Sequence, residues 1–369
     1  MVSYPFKSYY QFLLILILSV LGLHIKLSAQ DHSHFLTKVE LEQSGFNADS
    51  IRSLICQIRE SPGKDFRGIV ILKNNQIVVE EYFNTYWRMT VNDIRSAGKS
   101  ITTLLLGIAI KEGLIESLDQ DIYSLFDKHK NPRINEDYKK IKLKHLLDMA
   151  SGLDANTDNV ESIGHAIHWM ALDDWKDFLL NVPVTGTPDE GFSYADIHPL
   201  LVGLAIEEAT GMSLKDYANK KLFKPLGITQ TYWYTNTANQ TGAAGNLYLT
   251  TLDFAKLGLL VLKRGKWGDQ QIIDEEFIDR LMNHKSEAIG DWFFAADAYG
   301  MFWYKSKRNF GNKKFDYLFA SGSGGNHLIV FPKENMVIAL TSTAYGPGPG
   351  QRISYEIMSK ILAAFNKPE

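Results

Sequence analysis

The stretch Ser96-Ala97-Gly98-Lys99 is the most informative part of the sequence, because an apolar run over residues 100–110 follows it directly. The run is apolar enough to predict a buried helix. On such a helix Ser96 and Lys99 lie about one turn apart on the same face. A hydroxyl beside an amine is a nucleophile with a base next to it, and a helix N-terminus favours an oxyanion and a neutral lysine. The stretch therefore predicts a reactive Ser96/Lys99 pair, with helix capping by Ser96 as the alternative.

The same spacing occurs a second time, in Ser61-Pro62-Gly63-Lys64. Proline and glycine inside this second match predict a turn rather than a helix. A turn does not hold the two side chains on one face. The sequence therefore favours Ser96 over Ser61 as the nucleophile.

Composition limits the classes of protein that the chain can represent. Its 369 residues are 45% hydrophobic, enough for a large core, and the formal net charge of -3 gives no reason to expect a nucleic-acid partner. Cys56 is the single cysteine, which excludes an intramolecular disulfide and a cysteine-based metal cluster. Cys56 falls in a helical amphipathic pattern, which predicts a thiol in the core.

The N-terminus has the pattern of an export signal over residues 1–29. Lys7 supplies the positive region, residues 12–23 the apolar region, and Leu27-Ser28-Ala29 a cleavage region of small residues. The apolar region is shorter than the roughly 20 residues of a spanning helix. We therefore expect an exported protein, periplasmic or secreted, with no stable membrane span after cleavage; an uncleaved anchor is the alternative.

Strand patterns stand at both ends of the chain around a helical middle. A hairpin is predicted over residues 68–83, and further strands are predicted over residues 299–304, 317–320, 327–331 and 336–341. The pattern predicts an α/β fold, with a mainly antiparallel sheet flanked by helices and a large helical lobe over about residues 113–289. Residues 30–369 then form one domain, with its sandwich built from 46–112 and 290–369; two independent domains are the alternative.

A tyrosine beside the lysine is a plausible proton-transfer group, because a nearby cation favours phenolate. Tyr82 lies on the predicted hairpin and Tyr217 inside an amphipathic helix, so we predict that both pack in the fold rather than transfer protons. Tyr194 stands at a loop-to-helix junction next to Asp196 and His198, where it can point into a cleft. Tyr234 stays open as a second candidate.

A glycine-rich stretch precedes the strand predicted over residues 327–331. It reads Ser321-Gly322-Ser323-Gly324-Gly325-Asn326. Its backbone N–H groups could complete an oxyanion hole, since glycines allow a close approach to a ligand. A plain turn is the alternative, and a phosphate loop is excluded because no Gly-Lys-Ser/Thr follows.

Together these motifs resemble the serine β-lactamase and penicillin-binding-protein superfamily, in its class C-type branch of esterases and 6-aminohexanoate-dimer hydrolases. The supporting phrases are Ser96-Ala97-Gly98-Lys99, the segment 144–153, Gly191-Phe192-Ser193-Tyr194, the segment 245–258 with Gly265-Lys266-Trp267, and Gly322-Ser323-Gly324-Gly325-Asn326. The resemblance implies that Ser96 becomes acylated, that Lys99 shares its proton and that Tyr194 relays protons. It also implies backbone N–H groups of Ser96 and Ser323 as the oxyanion hole, and no metal or organic cofactor.

The chain departs from this pattern in three places. Asp196 stands where the family usually has asparagine, and its charge should oppose phenolate formation or pair with Lys99. No Lys/His-Ser/Thr-Gly triplet occurs near Ser323, so the cation that commonly binds a substrate carboxylate is missing. No glutamate is recognisably placed as a separate deacylation base. We therefore expect small esters or amides as substrates ahead of β-lactams or D-amino-acid peptides, with a catalytically silent envelope binding protein as a further alternative.

Histidines in the middle of the chain raise a metal hypothesis. His165 and His168 lie near Asp173 and Asp174 with a spacing compatible with one helix face. The neighbouring Trp169 and Met170 favour a helix packed over the cleft instead. We expect no metal site, and we predict residues 159–175, Trp169 among them, as a substrate wall.

Overall fold

The first and last strands of the chain lie side by side in the computed structural model, which describes residues 36–126, 133–284, 287–346 and 349–365. The predicted export signal over residues 1–29 lies outside the described residues. The strands, in chain order, are β1 (Phe66–Lys73), β2 (Gln76–Tyr82), β3 (Asn92–Asp93), β4 (Thr231–Trp233), β5 (Leu247–Leu249), β6 (Lys266–Trp267), β7 (Gln270–Gln271), β8 (Glu287–Ala288), β9 (Ala298–Gly300), β10 (Trp303–Phe310), β11 (Lys313–Gly322), β12 (Asn326–Phe331) and β13 (Met336–Ser342).

Helices account for most of the remaining regular structure. The α-helices are α1 (Ala48–Glu60), α2 (Gly98–Lys111), α3 (Ile122–Leu125), α4 (Leu143–Leu147), α5 (Lys176–Leu179), α6 (Ile197–Thr210), α7 (Leu214–Ala218), α8 (Thr251–Leu262), α9 (Glu275–Asn283) and α10 (Gly350–Ala364). Short 3₁₀ turns cover Leu41–Gln43, Arg95–Ala97, Glu136–Lys140 and Ala166–His168, and a π turn covers Asn219–Phe223. In the described part of the chain, no helix combines the length and apolar character that crossing a bilayer requires.

An eight-stranded antiparallel sheet joins the two ends of the chain, in the order β2-β1-β13-β12-β11-β10-β9-β8. Its central strands are buried almost throughout, because helix α8 packs on β1, β12 and β13, and α10 contacts β10, β12 and β13. The predicted α/β fold with a mainly antiparallel sheet is confirmed. It places the end of β11 next to the Ser96 motif, which comes from the other end of the chain.

Helix α6 is the centre of the helical lobe. It is buried over its first ten residues, and it contacts α2, α3, α4, α5 and α7. A helix that is apolar on all sides is buried on all sides. Helix α2 is buried in the same way, from Gly98 to Ala109. The two helices that carry the predicted site residues therefore pack directly on each other.

A small sheet in the order β3-β5-β4 adds short strands to the helical middle that the sequence did not predict. The pairing of β3 with β5 and the hydrogen bond from the Ile94 N–H to the Leu247 carbonyl (3.0 Å) bring residues 244–247 beside the Ser96 motif. These strands are only two or three residues long, which is too short for the alternation that identifies a strand in a sequence.

Two further predictions are wrong in detail. The strand predicted over residues 299–304 is divided by a turn in which Met301 and Phe302 have φ values of 52° and 59°. Ser100 and Thr103 of α2 donate hydrogen bonds to the carbonyls of Phe302 and Met301, so tertiary contacts stabilise this turn. Cys56 is exposed rather than in the core. The buried face of α1 is formed instead by Ile51, Leu54, Ile55 and Ile58.

Candidate active site

Ser96 and Lys99 meet at the start of helix α2. Ser96 lies in the 3₁₀ turn Arg95–Ala97, and Lys99 is the second residue of the helix that follows. The Lys99 Nζ donates a hydrogen bond to the Ser96 Oγ over 3.0 Å. Ser96 is half-buried, whereas Lys99 is only 1% exposed. The predicted proximity of the hydroxyl and the amine is therefore present in the structure.

The Lys99 Nζ has three acceptors within hydrogen-bond distance. Besides the Ser96 Oγ, it donates to the Ala244 carbonyl over 2.8 Å and pairs with Asp196 Oδ1 over 2.8 Å. Three acceptors match the three N–H bonds of an ammonium group. Burial opposes this charge, but the interactions with Asp196 and Tyr194 outweigh it and hold the pKa of Lys99 above its usual value. The resting lysine is thus charged, in contrast to the neutral lysine expected from the helix N-terminus.

Asp196 immediately precedes helix α6, so the packing of α6 on α2 sets its position. Its side chain is 27% exposed and faces the Lys99 ammonium group. The sequence left two effects of this charge open: opposing phenolate formation, or pairing with Lys99. The structure shows the pairing with Lys99. Its role is therefore tied to the protonation state of Lys99.

Tyr194 lies beside the same lysine, two residues before Asp196. The Lys99 Nζ is 5.0 Å from the centre of the Tyr194 ring, which is 8% exposed. Trp292 covers this ring at a centroid distance of 4.6 Å and donates its indole N–H to Asp158 Oδ2 over 2.9 Å. The other candidate, Tyr234, packs against Trp175 instead. The lysine contact favours Tyr194 over Tyr234.

The end of β11 approaches the backbone just before Ser96. A Cβ atom on Gly322 would lie 1.9 Å from the Ile94 carbonyl oxygen, so only glycine fits at this position. The chain then turns through Ser323 and Gly324 into β12, with Gly324 at a φ of 88°. Ser323 is exposed and shares one cavity with Ser96. The predicted oxyanion loop is thus next to the predicted nucleophile.

That cavity has a volume of about 390 Å³ and is open to solvent on one side. Its wall includes Trp169 from the predicted substrate wall, and Asp196, which stands where the family usually has asparagine. The other lining residues are Arg95, Ser96, Met170, Trp175, Leu200, Tyr234, Gly242, Ala244, Gly245, Asn246 and Ser323. A concave, largely apolar site with a few converging polar groups is typical of a small-molecule site.

Arg95 and Asp93 are site residues that the sequence reasoning missed. Arg95 has a φ of 54°, which is unfavourable for a residue with a side chain. The buried Asp93 stabilises this conformation, because its Oδ1 accepts the Arg95 N–H over 2.9 Å and its Oδ2 contacts the Arg95 Nε over 3.1 Å. The guanidinium group stacks on Tyr345 at 4.2 Å. Strained residues held by such contacts cluster at functional sites.

Ala244 was missed as well, since a carbonyl group contributes no recognisable residue type. The only available signal was its place just before the segment 245–258, one of the phrases that carry the family resemblance. Its contact with Lys99 depends on the pairing of β3 with β5.

Histidines take no part in a metal site in the described residues. His165 accepts a hydrogen bond from the Ile167 N–H, and His168 donates to the Val160 carbonyl over 3.1 Å. No group of three or more His, Cys, Asp or Glu side chains suited to a metal occurs in the described ranges. His198 is buried against Ser151, with its Nε2 2.8 Å from the Ser151 Oγ. Burial lowers the pKa of His198 to about 3, so its imidazole is neutral.

Ser96 thus contacts a buried lysine at the N-terminus of a buried helix, beside the end of an antiparallel strand, with the spacing Ser-x-x-Lys. The chain belongs to the beta-lactamase family, whose family model matches residues 52–360. The family resemblance predicted from the sequence is confirmed. The prediction of a serine hydrolase is confirmed at the level of the family.

Individual relatives are distant. A proposed D-alanyl-D-alanine carboxypeptidase of Escherichia coli O157:H7 is 23% identical over 237 residues, covering 58% of this chain and 54% of that protein. The match therefore spans about half the length of that relative. A solved structure of a proposed 6-aminohexanoate-dimer hydrolase from Bacillus anthracis has a TM-score of 0.70 at 20% identity, covering 90% of this chain and 88% of that one. A class C beta-lactamase has a TM-score of 0.64 at 14% identity, covering 87% and 97%. These structural likenesses show the fold.

Proposed function

We propose that the protein hydrolyses small esters or amides through an acyl-enzyme on Ser96. The observation that carries the proposal is the 3.0 Å hydrogen bond between the Lys99 Nζ and the Ser96 Oγ, at the wall of an open cavity. A serine hydroxyl is a weak nucleophile until a neighbouring group accepts its proton. Lys99 is the group in contact with it.

In the first half of the reaction the Ser96 Oγ forms a bond to the substrate carbonyl carbon. Because the pKa of Lys99 is raised, the free amine forms in a minor fraction of molecules, and that fraction takes the Ser96 proton. The proton then passes by way of Tyr194 to the alcohol or amine that leaves as its bond to the carbonyl carbon breaks. The product of this half is an ester of Ser96.

The second half consumes water. A water molecule adds to the acyl carbon, its proton passes through the same two side chains, and the bond to the Ser96 Oγ breaks with return of the hydroxyl. The net reaction is substrate plus water giving an acid plus an alcohol or amine. The backbone N–H groups of Ser96 and Ser323 are the proposed donors to the oxyanion in both halves, a role usually among the largest in acyl transfer.

Two features bear on the substrate and the location. The cavity wall is dominated by apolar and aromatic side chains, and its two charged side chains, Arg95 and Asp196, have opposite signs. These features support a neutral ester or amide. The distant relative named for D-alanyl-D-alanine carboxypeptidase activity supports peptide or β-lactam cleavage as the second candidate. The signal-like pattern over residues 1–29 supports export to the periplasm or beyond.

The purified protein and its Ser96→Ala variant test the proposal with p-nitrophenyl acetate, nitrocefin and a D-Ala-D-Ala peptide as parallel substrates. We expect ester turnover by the natural protein and a loss of about 10⁴-fold or more in the variant, as for removal of other nucleophilic serines. Labelling of Ser96 by a fluorophosphonate, read by intact mass, provides an activity-independent control. Ester turnover that survives in the variant would contradict the proposal, and a protein inert to every substrate and probe would favour a silent binding protein.

A further inference from the structure

Five large apolar side chains are exposed within a short segment at the cavity mouth. We call them the apolar ridge, and they are Val160, Ile163, Ile167, Met170 and Leu172. Their exposed fractions range from 41% to 68%, although single exposed apolar residues are ordinary in soluble proteins. Residues 160–172 contain one charged side chain, Glu161. An exposed apolar patch with so little charge points to a binding surface.

The ridge is continuous with the cavity that contains Ser96. Met170 belongs to both, since it lines the cavity while 58% of its surface stays exposed. Its neighbour Trp169 is buried, lines the same cavity and packs edge-on against Trp175 at 5.4 Å. An apolar path therefore leads from the nucleophile, along the tryptophan wall, to the surface.

The ridge is also a folded structure rather than a loose loop. The Gly164 N–H donates to the Asp154 carbonyl over 2.8 Å, and the Asn156 N–H donates to the Ser162 Oγ over 3.0 Å. His168 donates to the Val160 carbonyl and so connects the first residue of the ridge to the turn that carries Ile167. Local hydrogen bonds thus fix the backbone of this segment. Its apolar side chains stay exposed among the described residues.

We propose that the ridge binds the distal part of a long, unbranched acyl chain whose carbonyl group lies at Ser96. This inference rests on the proposed function and specifies its substrate class as fatty acyl esters or amides. The first carbons of the chain lie along the Trp169–Trp175 wall, and the remaining carbons lie over the ridge. Each methylene that leaves water on this path adds to binding of the transition state.

A series of p-nitrophenyl esters from acetate to decanoate, each used below its critical micelle concentration, measures this effect. We expect kcat/KM to rise with chain length and to keep rising after the cavity is filled. Ile167→Ser removes the most exposed ridge side chain without touching the cavity. We expect it to lower kcat/KM for decanoate by roughly tenfold and to leave acetate unchanged. Ile353→Ser, at an exposed isoleucine on α10 (42% exposed), is the control for the same substitution outside the ridge and should change neither.

The outcomes separate this inference from the proposed function. If acetate and decanoate are both inert, the proposed function fails. If acetate is cleaved but kcat/KM does not rise with length, or if Ile167→Ser lowers acetate and decanoate equally, the ridge proposal is overturned. If Ile167→Ser weakens binding to phosphatidylglycerol vesicles and leaves the chain-length series unchanged, the ridge is a membrane surface and the proposal is wrong.

Discussion

The chain contains two Ser-x-Gly-Lys stretches, and the structure surrounds them differently. At Ser96 the lysine is buried and its Nζ contacts the serine Oγ, the Ala244 carbonyl and Asp196. At Ser61 the stretch follows the end of α1, and the exposed Lys64 donates to the Arg59 carbonyl over 3.3 Å. The spacing is identical in both places. What differs is the set of partners supplied by distant parts of the chain.

The surroundings of the Ser96–Lys99 pair are therefore a product of tertiary structure. Ala244 reaches Lys99 through the pairing of β3 with β5, and Asp196 reaches it through the packing of α6 on α2. An exposed lysine such as Lys64 is surrounded by solvent. A buried lysine depends on its partners for its charge, so those partners control its reactivity.

The largest effect that tests this contrast is a paired substitution of the two lysines. Lys99→Met should lower kcat for p-nitrophenyl acetate by about 10³-fold, in the range that proton-transfer groups contribute. Lys64→Met should leave kcat within twofold. Unfolding curves of both variants check that the fold is retained. Similar losses in the two variants, or none in Lys99→Met, would show that the contact with Ser96 has no catalytic role.

A smaller effect isolates the contribution of one partner. Asp196→Asn keeps the size of the side chain and removes its charge, so burial then lowers the pKa of Lys99. We expect the rise of kcat with pH, which follows loss of the Lys99 proton, to move to lower pH. Kinetics from pH 5 to 11 measure the shift. A shift to higher pH, or none, would rule out Asp196 as the group that maintains the charge.

The same variant has a consequence for stability. Because the folded-state pKa of Lys99 lies above its unfolded value, the stabilisation from this pair is present at neutral pH and is lost as pH rises through the folded-state pKa. We expect Asp196→Asn to lower the free energy of unfolding at pH 7 by about 1–3 kcal/mol. The loss should shrink at the alkaline end of the range.

The sequence predicted the parts of the fold that depend on local pattern. The terminal hairpin, the buried helix from the Ser96 motif and most of the C-terminal sheet have strong periodic signals, and the structure contains them. The turn at Met301 and Phe302 had no such signal, because its positive φ values are stabilised by Ser100 and Thr103 from another element. Cys56 shows the same limit: its helix was predicted correctly, and the face on which it lies was not.

The candidate site divides in the same way. Ser96, Lys99 and Tyr194 could be predicted as candidates because their residue types carry chemistry, and the structure places them close together. Asp196 was recognised as a departure from the family, but the sequence could not decide between its two effects. Ala244 contacts Lys99 through its backbone carbonyl, and Asp93 fixes the conformation of Arg95. Neither contact can be predicted from the residue type.

The third residue of each stretch gives the smallest and most local test of the comparison. A Cβ atom on Gly98 would lie 3.3 Å from the Gly245 Cα, whereas on Gly63 its nearest neighbour would be the Ser61 Oγ at 3.8 Å. Gly98→Ala should therefore displace the segment that includes Ala244 and lower kcat severalfold. The free energy of unfolding should change by no more than about 1 kcal/mol, because alanine favours the helix and offsets the crowding. Gly63→Ala should change neither quantity measurably, and a kcat loss there equal to that of Gly98→Ala would mean that close packing is not what distinguishes the two stretches.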